Sequence, residues 1–113
     1  MPDTITVTPA EGTWVVRAGG AVIGESARAL ELRERSLTPV IYFPREDVAM
    51  AFLETSAKVT HCPHKGDAGY YSIVTESATL RDAVWTYAEP KPDLPEIAGH
   101  LAFDPSQVTV ERV

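Results

Sequence analysis

The sequence predicts a single, mostly-β domain: two small packed antiparallel sheets with one or two short helical turns. Three observations carry this expectation. Apolar residues make up 44% of the 113 positions, which is enough for one core. They fall in short runs with the two-residue alternation of strands, not in long stretches with a 3.6-residue period. Nine prolines interrupt the chain too often for a helical bundle and suit short strands joined by tight loops.

Each element follows from local chemistry. Residues 13–17 (TWVVR) form a short β-rich run that meets Gly19-Gly20 and then residues 21–24 (AVIG). Two such runs around a pair of glycines read as a hairpin, because glycine takes positive φ without steric cost. Residues 27–35 have helix-favouring composition, but Leu30 and Leu32 alternate with Glu31 and Arg33, which is the strand period and decides for a strand. Residues 40–43 (VIYF) read as a strand that Pro44 ends. Residues 44–48 (PREDV) read as one helical turn, with proline first and acids near the positive end of the dipole.

Residues 50–53 are expected to be a strand. Residues 59–62 are another, leading into a loop over residues 63–69. Residues 70–74 return as a strand. In residues 79–87, Ala83, Trp85 and Tyr87 share one face and Val84 and Thr86 the other. Residues 89–95 hold three prolines and form a stiff, extended loop, and residues 96–99 form a short turn. Residues 101–103 and 108–110 are the last strands, separated by the turn Asp104-Pro105-Ser106. No repeat, low-complexity segment or long linker divides the chain, so residues 1–113 read as one domain.

Charge narrows the function classes. Ten basic and 16 acidic residues leave a net charge of −6. Strong non-specific nucleic-acid binding needs a basic face, and an anionic membrane surface needs the same. Arg28, Arg33 and Arg35 are interleaved with Glu31 and Glu34, which reads as a solvated, balanced face. The N-terminal residues 1–8 have neither the basic start nor the apolar core of a signal peptide, and no apolar run is long enough to span a bilayer. The single cysteine has no partner within the chain. A cytoplasmic location is expected.

Candidate chemistry concentrates at Thr60-His61-Cys62-Pro63-His64-Lys65-Gly66-Asp67-Ala68. Cys62 is a candidate nucleophile, since neighbouring positive charge stabilises a thiolate and His61 or His64 would serve as base. The alternative for Cys62 is an inert, buried thiol. On a strand His61 and Cys62 point to opposite faces, and the spacing matches no standard zinc pattern, so no metal or cofactor is expected. Lys65-Gly66-Asp67 reads as a tight turn in which Gly66 takes a special φ and Asp67 bonds nearby N–H groups. Lys65 suits a carboxylate or phosphate ligand. Arg45 offers a planar fork for the same groups. Trp14, Tyr42, Tyr70, Tyr71, Trp85 and Tyr87 are core residues by default, and some of them can wall a pocket. Tyr70 and Tyr71, being adjacent, must face opposite ways.

Tyr42-Phe43-Pro44-Arg45-Glu46-Asp47-Val48, the segment over residues 60–68, Ala83-Val84-Trp85-Thr86-Tyr87 with Pro90, and Ile97-Ala98-Gly99-His100-Leu101-Ala102-Phe103 occur in that order. Together they closely resemble a bacterial and fungal family of small domains, the domain-of-unknown-function 427 family, over about residues 14–108. The family often has an aromatic after Ala-Phe, where this chain has Asp104. The resemblance implies a β-tent or Mss4-like fold but no established activity. The zinc site of Mss4-like relatives needs paired Cys-x-x-Cys motifs, which one cysteine cannot supply. A nucleotidyltransferase label is sometimes attached to the family, but this chain lacks a Gly-Ser phosphate loop followed by paired metal-binding aspartates.

Three functions are compatible with these residues. The first is a binding domain for a small, anionic molecule, with an aromatic wall closed by the His61–Asp67 loop. Its ligand-binding residues would be Tyr42, Arg45, His61, His64, Lys65, Asp67, Tyr70 and Trp85. The second is a small enzyme with Cys62 as nucleophile and His61 or His64 as base. The third is an interaction module that pairs through an exposed strand edge. Free edges would also allow a homodimer.

Overall fold

The computed structural model describes residues 4–35 and 37–113. Residues 1–3 of the N-terminal segment therefore lie outside the described residues, as does Ser36. Among the described residues the fold has ten strands and three single-turn 3-10 helices. The strands are β1 Ile5–Pro9, β2 Trp14–Ala18, β3 Ala21–Ser26, β4 Leu30–Glu34, β5 Val40–Tyr42, β6 Leu53–Cys62, β7 Gly66–Val74, β8 Thr79–Thr86, β9 Leu101–Phe103 and β10 Thr109–Arg112. The 3-10 turns are Arg45–Asp47, Met50–Phe52 and Pro95–Ile97. No helix among the described residues is long and apolar enough to cross a membrane.

The mostly-β class holds, and the strands form three antiparallel sheets rather than a pair. Their orders are β1-β4-β5, β10-β2-β3 and β6-β7-β8-β9. The four-stranded sheet is the centre of the molecule. One of its faces packs against β10-β2-β3 through Val16, Ile23, Ile73, Val84, Leu101 and Phe103, with Phe43 set edge-on to Phe103. The other packs against β1-β4-β5 through Leu32, Tyr42, Ala68, Tyr87, Ala102 and Ile97. Phe43 and Leu101 exchange backbone hydrogen bonds of 2.8 and 2.9 Å, which ties the end of β5 to β9 and holds two sheets together along one edge.

Most elements sit where the pattern places them. Gly19 and Gly20 turn the β2–β3 hairpin at φ 55° and 89°. Residues 27–35 do hold a strand, β4, whose Leu32 is buried. The expected turn after Pro44 is present. Two readings are corrected and one strand is added. Residues 50–52 form a 3-10 turn instead of a strand, because the Ala49 N–H donates to the Ile23 carbonyl and the Phe52 N–H bonds back to Ala49. The expected loop over residues 63–69 shrinks to the turn at residues 63–65, because Gly66 already pairs with Cys62 and starts β7. The N-terminal residues supply a strand, β1, whose register against β4 runs from Ile5↔Glu34 to Pro9↔Leu30.

Two bulges shape the central sheet. On β6, Thr55 and Val59 lie opposite Tyr71 and Gly69, so β6 carries two extra residues there. On β8, Leu80 and Val84 lie opposite Ile73 and Tyr71. Ser56 donates to the Asp82 carboxylate, joining the two bulges across β7. The Asp82 N–H donates to Ser72 Oγ at 3.0 Å, and Asp82 takes a positive φ of 52°. Bulges re-aim side chains. Here Lys58 lies over the Tyr70 ring, 4.6 Å from its centroid.

Candidate functional site

The site is built where β4 and β5 cross the face of the central sheet. Tyr70 on β7 pairs in register with Trp85 on β8, so both rings project from one face. Tyr87 follows just past β8, and Tyr42 comes from β5 on the opposing sheet. Together with Leu32, Glu34, Leu37, Thr38, Val40 and Lys65 these rings line a cavity of about 260 Å³. The adjacent Tyr71 turns to the other core, as adjacent strand residues must.

One ion pair supplies the cavity's charge. Lys65 Nζ donates to Glu34 Oε1 at 2.8 Å, with side-chain exposures of 14% and 16%. Burial alone would lower the Lys65 pKa. The hydrogen bond to Glu34 and the nearby acidic groups Cys62, Glu34 and Tyr42 outweigh it, and the ammonium is held above its ordinary value. Burial raises the Tyr42 phenol; the Trp85 hydrogen bond and the Lys65 charge only partly offset this. That hydrogen bond runs from Trp85 Nε1 to Tyr42 Oη at 3.4 Å. Burial also holds the Tyr87 phenol well above its usual range. The Tyr42 and Tyr87 phenols and the Lys65 ammonium therefore keep their protons throughout the neutral range.

The backbone beneath Lys65 is fixed from both sides. Its N–H donates to the Cys62 carbonyl at 3.3 Å, and its own carbonyl accepts from the Lys91 N–H at 2.9 Å. Gly66 follows with φ 111°, a conformation that side chains oppose. The Pro-rich segment thus braces the turn, while Leu94 and Ile97 anchor that segment in the core.

The structure brings four of the sequence-derived ligand residues together: Tyr42, Lys65, Tyr70 and Trp85. The others lie elsewhere. His61 and Asp67 pair at 2.7 Å on the outer face of the hairpin, with side-chain exposures of 65% and 74%. They border a separate open cleft with Gly66, Ala88 and Glu89. His64 is exposed at the turn. Arg45 donates to the Tyr71 hydroxyl at 2.8 Å and does not line the cavity. Cys62 is half-buried against the second core cluster, opposite in orientation to His61. The two side chains named for catalysis are therefore on different faces of β6. Among the described residues, no three His, Cys, Asp or Glu side chains are placed to hold a metal ion.

Sequence reasoning missed Glu34. Its local signal is a strand of alternating charges, and its partner lies 31 positions away. Tyr87 carried a usable signal, since it shares a face with Trp85.

A family model described as a domain of unknown function (DUF427) matches residues 6–113, nearly the whole chain. No curated protein matches the chain.

Proposed function

The chain belongs to that family, and we propose that it is a small-molecule-binding domain whose site is the cavity around the Lys65–Glu34 pair. The observation that carries this reading is the pair itself. A lysine and a glutamate meet at 2.8 Å, mostly sheltered from water, inside a wall of three tyrosines and a tryptophan. Concave, aromatic-lined space with a few convergent polar groups is the usual form of a ligand site. Burying an ion pair gains little stability over apolar packing, which gives a binding role more weight than a structural one.

Lys65 by itself would select an anion. With Glu34 beside it the pair is neutral, so a ligand that offers both an acceptor and a donor suits the site better than a simple carboxylate. Cys62 and the cleft at His61 and Asp67 have no part in this reading. A Cys62 enzyme is the weaker alternative, because of its two proposed bases His61 engages Asp67 on the opposite face and His64 is exposed at the turn. A β-tent relationship to the Mss4-like group is consistent with the three-sheet arrangement, and we place the protein in the cytoplasm, acting on a small molecule rather than on nucleic acid or membrane.

Native mass spectrometry of the purified protein, set against its denatured mass, tests the proposal. Wild-type protein is expected to retain a small non-covalent adduct that Lys65→Met and Trp85→Ala lose. An adduct that both variants keep would overturn the assignment of the site. The same spectrum gives the oligomeric state.

A further inference from the structure

A second cavity of about 510 Å³ adjoins the first. The two share Thr38, Val40 and Trp85 as lining. The second is apolar in character: Trp14, Ile41, Phe103 and Val110 face it. Glu31 and Arg33 are the charged residues on its lining, and they neutralise each other in a 2.6 Å pair. One cavity thus offers a fixed plus–minus pair, the next a largely apolar space without net charge, and Trp85 lines both.

We propose that the two cavities form one site for a zwitterion with an apolar side chain, of the hydrophobic α-amino-acid class, its charged head between Lys65 and Glu34 and its side chain beyond Trp85. This inference rests on the binding reading above and names the ligand class. Charge compensation decides the head group. A singly charged ligand would leave Lys65 or Glu34 facing a like charge or none, at high cost in a sheltered site. A zwitterion opens the pair into two: its carboxylate accepts from Lys65 Nζ, and its ammonium donates to Glu34. The tyrosine faces add cation–π attraction for the ammonium. The side chain then has apolar space next door, about 510 Å³, which lies within the usual range for small-ligand sites.

Calorimetric titration of the full chain tests this with glycine, alanine, leucine and phenylalanine, and with N-acetylphenylalanine and phenethylamine as heads lacking one charge. Affinity is expected to rise about 10- to 100-fold from alanine to phenylalanine, the gain from burying a large side chain. Both single-charge analogues are expected to bind at least about tenfold more weakly than phenylalanine. In Val110→Arg the alanine-to-phenylalanine gain is expected to vanish. The series on wild-type protein stands on its own if that variant does not fold. Equal affinity for alanine and phenylalanine would overturn the second cavity's role and leave the head site intact. Equal affinity for phenylalanine and its N-acetyl form would overturn the zwitterion. No heat with any amino acid at millimolar concentration would overturn the inference, while a retained adduct in the native mass spectrum would still uphold the binding reading.

Discussion

At the scale of single residues, Lys65 and Glu34 depend on each other. Each is mostly buried, so removing one leaves the other as an uncompensated charge. Lys65→Met is expected to cost about 2–4 kcal/mol in urea unfolding, around the lower end of the range for breaking a fully buried pair. The double variant Lys65→Met, Glu34→Leu should recover much of that loss, because it leaves no orphan charge. A double-mutant cycle with near-zero coupling would show that the pair is a surface contact. Cys62 makes the contrasting case. It lies half-buried against the core, away from His61, and Cys62→Ser should leave ligand binding unchanged. Loss of binding in that variant, with its folding transition intact, would bring the thiol back into the site.

At the scale of elements, the β6–β7 hairpin positions Lys65, and Gly66 makes its turn possible. An L side chain at φ 111° is strained even though a Cβ there would meet nothing closer than 3.5 Å. Gly66→Ala should therefore cost about 1–3 kcal/mol, measured by thermal or urea unfolding, and should weaken binding by moving Lys65. A neutral substitution would mean that the turn relaxes freely.

This hairpin also shows what a sequence can and cannot disclose. Its two strands, the glycine's special φ and the opposite facing of His61 and Cys62 follow from local rules, and so do the shared face of Trp85 and Tyr87 and the turn after Pro44. The short loop was not legible, because pairing of Gly66 with Cys62 competes with the turn-forming chemistry of Pro63 and Gly66. Strand β1 has a local strand pattern, with β-branched residues alternating apolar and polar over residues 5–8, but what it does depends on its partner β4. Glu34 escaped for a related reason: a glutamate in a charged strand gains its role only when β4 is laid across the turn. His61 and Asp67 misled as ligand residues because local clustering cannot say which face of a hairpin meets the rest of the protein.

At the scale of the molecule, three buried groups around one cavity make stability depend on alkaline pH. Lys65, Tyr42 and Tyr87 each have a pKa raised above the ordinary values of 10.5, 10.0 and 10.0. The folded state therefore holds these protons more tightly than the unfolded chain. Their contribution is fully present below about pH 10, and it is lost as pH rises through the higher folded values. The melting temperature should fall steadily above pH 10, and less steeply in Lys65→Met and Tyr87→Phe. An unchanged slope in both variants would place the alkaline transition elsewhere. Asp104 acts at the other end of the scale. Hydrogen bonds from Ser106 and Gln107 lower its pKa below 3.8, so its contribution is present above that value and disappears only as pH falls through the lowered one.

The family match over residues 6–113 spans every residue of the cavity lining. The lining residues come from β4, the β4–β5 connection, β5, the β6–β7 turn, β7, β8 and the residue after β8, so the cavity exists only when the outer sheet and the central sheet pack together. The most direct test is a small-fragment screen on the ¹⁵N-labelled full chain, read by amide and indole chemical shifts. The account predicts that binders shift the Trp85 indole together with the Lys65, Gly66 and Tyr70 amides. Binders that cluster instead on His61, Asp67 and Ala88, or that leave the Trp85 indole unmoved throughout, would contradict it.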